Sequence, residues 1–220
     1  MKQLIKKTID LCRSIYFCVR YLPWDQAKCL PVRVMGSVHY AIKGQVVLDF
    51  DPRKEVVCLH GAGSPALQSF PSGTLYVAAG GRIVFKGHCF ISEGFSFRVD
   101  EGGEIVIGKN VYINKNIFIR SNDSVSIGDD CTLGWNVTMN TTNGHRLFVG
   151  EEARPISDKI IIGQHVWIGQ GCTIGQSVTI ANHCVVAQCA VVTKPLEKEH
   201  CLYGGVPARL LKEDVKWMHQ

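Results

Sequence analysis

Large aliphatic residues recur every six positions along the chain, with polar or small residues between them. The members of this row are Ile107, Ile113, Ile119, Ile127, Leu133 and Met139, followed by Ile162, Ile168, Ile174, Ile180, Val186 and Val192. Self-similarity at a fixed period indicates a repeat architecture. A six-residue period is too short for a helical repeat, and it matches one flat side of a parallel β-helix whose coils have three sides.

Two further positions of each hexad are restricted. The residue after the aliphatic is often small, as at Gly134 and Gly169, and the fourth residue after it is a smaller apolar one, as at Val137 and Cys172. Two inward positions per hexad fit a short strand followed by a corner. The pattern therefore predicts that the larger residue fills the coil and the smaller one lies beside the bend.

Departures from the period are orderly. The steps Val77 to Phe85, Val99 to Ile107 and Ile119 to Ile127 each take eight residues and contain turn-forming residues. A 23-residue excursion then separates Met139 from Ile162. The spacing predicts one long loop at one corner of a regular column, and loops held by a rigid scaffold often carry chemistry.

The ends of the chain follow other patterns, and 220 residues favour a single domain. In residues 24–74, apolar and polar positions alternate only weakly, and chain breakers such as Pro65 interrupt the pattern. This segment therefore predicts irregular first coils and loops. The predicted organisation is a helix over residues 1–23, irregular coils over 24–74, a β-helix over 75–200 with its loop at 140–161, and a turn and short helix over 201–220.

The N-terminal helix is amphipathic and basic. Ile5, Ile9, Cys12, Tyr16 and Val19 follow helical spacing, and Leu4, Leu11 and Ile15 widen this apolar face. Two interpretations stay open. The helix either covers the open end of the β-helix, where an uncapped coil would expose a strand edge, or lies on an anionic membrane surface through residues 1–21.

Composition restricts the classes of ligand and the cellular compartment that we expect. A net charge of +5 suits phosphate ligands but is too weak for nucleic acid, and no nucleic-acid motif is present. The ten cysteines lack Cys-x-x-Cys spacing, and Cys131, Cys172 and Cys184 occupy inward positions as small buried residues. With no secretory signal pattern, we expect a cytoplasmic protein, with peripheral membrane contact as an option.

The loop begins Asn140-Thr141-Thr142-Asn143-Gly144-His145. Histidine is the natural general base near neutral pH, and this one is on the loop that leaves the repeat. The sequence therefore makes His145 the candidate catalytic residue.

Three further segments carry a resemblance to a known family. These are Lys159–Gly169, Val191–Lys194 and Gly205–Arg209. Together with the Asn-Gly-His loop they resemble the hexapeptide-repeat acyltransferases, in particular the galactoside, maltose and surface-polysaccharide O-acetyltransferases. The resemblance implies a left-handed parallel β-helix, a homotrimer with sites between subunits, and acetyl-CoA as the donor for acetylation of a sugar or polysaccharide hydroxyl.

The resemblance also implies roles for individual residues. His145 matches the catalytic base, and Asn114 matches an asparagine that holds the acceptor. The positions matched to the coenzyme are Trp167, Gly169, Gln170, Gln188, Thr193, Lys194 and Arg209. Trp135 is a candidate for stacking on a sugar face or for an interface aromatic.

Two departures from the family pattern accompany these matches. Gln188 and Cys189 stand where the family often has small residues, and Asn143 stands where it often has an aspartate. The orienting partner of His145 therefore stays open between Glu151, Glu152, Asp158 and a backbone carbonyl.

Other functions remain as alternatives. His165 and His183 lie eighteen residues apart, one coil, as stacked ligands of a carbonic anhydrase-like zinc trimer would. A non-enzymatic assembly or glycan-binding protein could retain the same fold. Serine- and UDP-sugar-acylating enzymes are further possibilities, although the Asn-Gly-His loop does not favour them. No metal is expected for the acetyltransferase itself.

Overall fold

The computed structural model describes residues 2–63 and 70–219, so Pro65 lies outside the described residues. Successive strands pass around a column of three sheets, and each turn of the chain adds one strand to each sheet. All strand pairs within the column are parallel up to the last coil. This arrangement is a three-sided parallel β-helix.

The helices are α1 (Lys2–Tyr21) and α2 (Trp24–Ala27). The first sheet contains β1 (Val32–Val34), β4 (Val57–Gly61), β7 (Cys89–Ser92), β10 (Val111–Ile113), β13 (Thr132–Leu133), β18 (Trp167–Ile168), β21 (Val185–Val186), β23 (Leu202–Gly204) and β24 (Arg209–Lys212). The second contains β2 (Val38–Ile42), β5 (Gly73–Val77), β8 (Ser96–Val99), β11 (Phe118–Ser121), β14 (Thr138–Asn140), β19 (Thr173–Ile174) and β22 (Val191–Val192). The third contains β3 (Gln45–Leu48), β6 (Arg82–Phe85), β9 (Glu104–Ile107), β12 (Ser124–Ile127), β17 (Ile160–Ile162) and β20 (Thr179–Ile180).

Three corners join these sheets, and they are numbered in chain order. The first corner joins the first and second sheets, as residues 134–137 do between β13 and β14. The second corner joins the second and third sheets and carries the long loop between β14 and β17. The third corner returns the chain to the first sheet, as residues 163–166 do between β17 and β18.

The six-residue row forms the interior of the column. Ile113 pairs with Leu133, Ile119 with Met139, and so on down the coils, so each aliphatic lies on its counterpart in the next coil. Every member of the row is at most 1% exposed. The second inward position is also buried, including Cys131, Cys172 and Cys184, which are free thiols, as predicted.

Regular pairing begins earlier than the sequence predicts. β1 pairs in register with β4, Val32 against Val57, and β3 pairs with β6. The first coils are therefore regular parts of the column, and its start lies near residue 32 instead of residue 75. Longer corner inserts in this part of the chain hide the period without interrupting the stacking.

Helix α1 confirms the predicted N-terminal helix and covers the first coil. Phe17 and Cys18 are fully buried, and the Val34 amide donates to Ser14 Oγ at 2.9 Å. The Phe17 ring packs 5.3 Å from the Tyr40 ring, measured between centroids. The interpretation of α1 as a cap is therefore confirmed, although the capping face differs from the aliphatic row noted in the sequence.

The predicted C-terminal helix is wrong for the described residues 201–219. After the Gly204-Gly205 turn the chain reverses, and β24 pairs antiparallel with β23, Arg209 against Gly204. The reversal lies next to the last strand of the first sheet and pairs its free edge, so Pro207 lies in the turn and Arg209–Lys212 are extended.

The excursion at the second corner confirms the predicted loop and contains a feature that the period did not indicate. β15 (Leu147–Val149) and β16 (Glu152–Arg154) form an antiparallel hairpin. All six of its strand residues are exposed.

Among the described residues, neither helix is both long enough and apolar enough to cross a bilayer.

Candidate functional site

A groove of about 450 Å³ runs along the first sheet beside the first corner. We call it the corner groove, and its lining residues are Asn114, Thr132, Gly134, Trp135, Trp167, Gly169, Gln170, Val185, Val186, Ala187, Gln188 and Leu202. Six of the residues nominated from sequence are among them. The structure thus brings Asn114, Trp135 and four of the seven nominated coenzyme positions to one surface, and these four are Trp167, Gly169, Gln170 and Gln188.

Small residues at the corner let successive coils lie close together. A Cβ added to Gly134 would lie 2.6 Å from the Gln170 nitrogen, and one added to Gly169 would lie 2.6 Å from the Gln188 nitrogen. Both positions therefore require glycine. The close stacking brings Trp135, Gln170 and Gln188 into one column along the groove.

The corner groove contains only a few polar side-chain groups among its lining residues. Gln170 Nε2 donates to Gln188 Oε1 at 3.3 Å, and both side chains are exposed. The Trp135 Nε1 donor is buried and has no partner within the described chain. An unpaired buried donor is costly, and a ligand carbonyl is one way to satisfy it. The groove accordingly suits a slender molecule with apolar segments and amide groups.

Asn114 lies at the end of the groove nearer the N-terminus. Its Oδ1 accepts from the Lys115 amide at 3.0 Å. The Lys115 side chain is almost completely buried, and its Nζ lies 2.8 Å from Glu93 Oε1. Sequence analysis missed this buried ion pair beside the groove, because the hexad pattern assigns no inward role to either residue.

The loop holding His145 is fixed at its base. Thr142 Oγ1 accepts from the Gly144 amide at 3.0 Å and donates to the Ile156 carbonyl at 3.1 Å. Gly144 has φ +74°, a conformation that favours glycine. His145 itself is exposed, so its ring is free to meet a group outside its own chain.

The acidic candidates near His145 are used elsewhere or are exposed. Asp158 Oδ2 accepts from Ser177 Oγ at 2.6 Å, and this hydrogen bond lowers the pKa of the carboxyl group. Glu152 lies 3.6 Å from Arg154. Within the described residues, no carboxylate contacts the His145 ring, so the choice among the predicted orienting partners stays open.

The other nominated residues do not lie in the corner groove. Thr193 and Lys194 are exposed at the second corner, below the His145 loop, and Arg209 is exposed on β24. One chain therefore divides the nominated site between the groove at the first corner and the loop at the second corner.

A second cleft, of about 420 Å³, lies at the third corner beneath the C-terminal tail. The Trp217 ring stacks on His165 with centroids 4.3 Å apart, and the His183 and His200 rings stack at 4.6 Å. The expected stacking of His165 above His183 is present, at 5.5 Å. The described residues contain no group of three or more His, Cys, Asp or Glu that could hold a metal ion.

Sequence models of two repeat families match parts of the chain. Residues 159–194 match the bacterial transferase hexapeptide, described as six repeats. Residues 124–144 match the hexapeptide repeat of succinyl-transferase. These matches identify both segments as hexapeptide repeats. The predicted resemblance of the chain to the hexapeptide-repeat transferases is confirmed.

The chain is similar to several solved acetyltransferase structures. The polySia-specific acetyltransferase NeuO superimposes with a TM-score of 0.55 at 18% identity, covering 86% of this chain and 84% of NeuO. The hexapeptide-repeat acetyltransferase VCA0836 of Vibrio cholerae O1 biovar eltor, complexed with acetyl coenzyme A, gives 0.44 at 18% identity, covering 96% and 87%. Galactoside acetyltransferase in complex with coenzyme A gives 0.42 at 20% identity, covering 97% and 80%.

No curated protein sequence matches the chain. The similarity to NeuO, together with the repeat matches, confirms the predicted left-handed parallel β-helix of this hexapeptide-repeat protein.

Proposed function

We propose that this hexapeptide-repeat protein is an O-acetyltransferase that moves an acetyl group from acetyl-CoA to a hydroxyl of a sugar or surface polysaccharide. The observation that carries the proposal is the corner groove, which is lined by residues that the sequence resemblance matched to donor and to acceptor binding. The repeat models that match the chain are those of transferases, which agrees with this class of reaction.

The corner groove fits the donor. Val185, Ala187 and Leu202 supply an apolar wall for the slender pantetheine arm. The Trp135 Nε1 donor and the amides of Gln170 and Gln188 supply partners for its amide groups. Lys194 and Arg209 are exposed cations suited to the phosphates at the distal end of the coenzyme.

In the proposed reaction, His145 accepts the proton of the acceptor hydroxyl while that oxygen attacks the thioester carbon. The carbon–sulfur bond then breaks, and the leaving sulfur takes the proton from His145, so that the coenzyme departs as a thiol. Backbone N–H groups near the thioester would stabilise the oxyanion, and fixing donor and acceptor together would supply proximity. No covalent acyl-enzyme is required.

The site requires a second copy of the chain in this proposal, because one chain holds the groove and the His145 loop at different corners. A trimer of parallel columns would set the second-corner loop of one subunit against the groove of its neighbour. The exposed apolar hairpin supports this arrangement, since Leu147, Phe148 and Val149 are each more than half exposed in the isolated chain.

The first experiment is a calorimetric titration of the purified protein with acetyl-CoA. Saturable binding near one site per chain is the expected result. Gln188→Ala should weaken binding by about fivefold, the loss of one hydrogen bond, whereas Gln164→Ala at the third corner should not. No binding by a folded trimer would contradict the proposal and favour the non-enzymatic assembly.

His145→Ala tests the chemical step. Acetyl-CoA binding should be retained, while acetyl transfer to a panel of sugar acceptors should fall by roughly 10²–10⁴-fold, since a positioned base contributes about that much. Thiol release measures the turnover. Arg146→Gln, on the same exposed loop, is the matched control and should keep most activity; equal losses in both variants would count against a base at His145.

A further inference from the structure

Helix α1 caps the column with only part of its surface. Ser14, Phe17 and Cys18 are the buried residues of the helix, and all three are in its second half. Leu22, just beyond the helix, is also buried. Among the other residues of α1 whose burial is described, Asp10, Arg13 and Tyr21 are half-buried and the rest are exposed.

The outward surface of α1 is continuously apolar apart from Thr8. At 3.6 residues per turn, its apolar residues cover an arc of roughly 160°. Its large members and their exposed fractions are Leu4 70%, Ile5 54%, Ile9 45%, Leu11 52%, Ile15 42%, Tyr16 57% and Val19 56%. We call this surface the α1 apolar face. Such a concentration on a single helix marks an interaction surface rather than scattered exposed residues.

Basic residues border the α1 apolar face. Lys7 projects on one side of the arc, and Lys6, Arg13 and Arg20 project on the other. The helix holds five basic residues and one acidic residue, which accounts for most of the chain's net charge of +5. Its one acid, Asp10, is paired with Arg13 at 3.0 Å.

We propose that α1 docks the protein on an anionic membrane surface. The α1 apolar face would enter the boundary between headgroups and acyl chains, and the flanking lysines and arginines would contact lipid phosphates. The charge favours lipid over a second copy of this helix, because two α1 faces packed together would bring basic borders against each other. The proposal is independent of the proposed acetyl transfer.

The position of α1 suits this role. Because the helix lies across the first coil, the α1 apolar face forms an end of the column and leaves the corner groove, farther along the column, clear of the membrane. The Ser14 and Phe17 contacts hold α1 in place without using the apolar face. Docking would therefore need no unfolding of the cap.

Co-sedimentation of the full chain with lipid vesicles tests the proposal. Vesicles of phosphatidylcholine and phosphatidylglycerol should bind the protein, and binding should weaken as salt rises. The variant Ile5→Ser/Ile9→Ser/Val19→Ser should bind at least about tenfold more weakly, because it removes three membrane-entering side chains. Lys6→Gln/Lys7→Gln should lose about 25-fold at low salt, about fivefold per charge.

Val206→Ser is the matched control, since Val206 is 73% exposed at the other end of the column. It should bind vesicles like the intact protein. Failure of the intact protein to bind, or unchanged binding by the triple variant, would overturn the proposal. A third result would also overturn it: the intact protein does not bind vesicles, and the triple variant has a lower mass than the intact protein in light scattering. The α1 apolar face would then cover another copy of the chain.

Acetyl-CoA titration of the same variants separates the two proposals. The triple variant should keep acetyl-CoA binding, because none of its three residues lies in the corner groove. If the folded protein binds vesicles but not acetyl-CoA, the membrane proposal is supported and the proposed acetyl transfer is contradicted.

Discussion

His60 illustrates how the column constrains a single residue. It has φ +58°, its side chain is 6% exposed, and its ring lies 6.5 Å from that of the buried Phe95. Its Nε2 has no partner within the described chain. Burial lowers the pKa of His60, while the nearby Glu93 raises it to a smaller extent. The residue is therefore held in its neutral form.

This shift predicts a pH-dependent stability. Because the folded pKa of His60 lies below the unfolded value of about 6.5, its neutral form stabilises the fold above that pH, and this contribution is lost as pH falls. Urea unfolding should show the loss as pH falls below about 6.5. His60→Asn, which tolerates a positive φ, should reduce the dependence. His39→Gln, at an exposed site, should leave it unchanged; equal effects would refute the assignment.

At the scale of the repeating element, spacing between coils decides which glycines are essential. A Cβ on Gly128 would lie 2.5 Å from the Gly163 carbonyl oxygen, a backbone atom that cannot move aside. At Gly175, the nearest atom to an added Cβ is the Val192 carbonyl oxygen at 3.5 Å, an ordinary contact. The two glycines occupy the same hexad position yet face different spaces.

Alanine substitutions should separate these two positions. Gly128→Ala should destabilise the protein by about 1–3 kcal/mol through overpacking. Gly175→Ala should be neutral or stabilise it by up to about 1 kcal/mol, because it restricts the unfolded chain. Thermal or urea unfolding measures both. Equal destabilisation would mean that backbone approach is not the reason for glycine at this position.

At the scale of the whole molecule, the proposed trimer depends on the hairpin of the second-corner loop. Phe148 is 55% exposed in the isolated chain. Phe148→Asp should therefore lower the mass measured by light scattering and weaken acetyl-CoA binding together. Glu151→Ala, at the turn of the same hairpin, should change neither. A monomeric intact protein would reject the shared-site model.

Much of the fold could be read from one period. Residues such as Ile113 and Ile119 lie six or eight positions apart because each side of a coil needs one large inward side chain. The structure stacks each of them on its counterpart in the next coil, as Ile113 on Leu133. The early coils escaped prediction because their pairing partners, such as Val57 for Val32, are reached through irregular inserts, so local spacing carries little signal. The terminal strand β24 escaped prediction because it pairs antiparallel with β23 and does not continue the six-residue period.

The sequence by itself determined the repeat, the buried cysteines, the loop that carries His145 and the N-terminal helix, because each follows from local periodicity or composition. Only the tertiary structure decided that six nominated residues share the corner groove while His145 lies at another corner. It also decided that α1 buries Phe17 and Cys18 and exposes its aliphatic row. These outcomes depend on how coils stack and which helix face meets the column, and stacking is set by contacts between residues far apart in the chain.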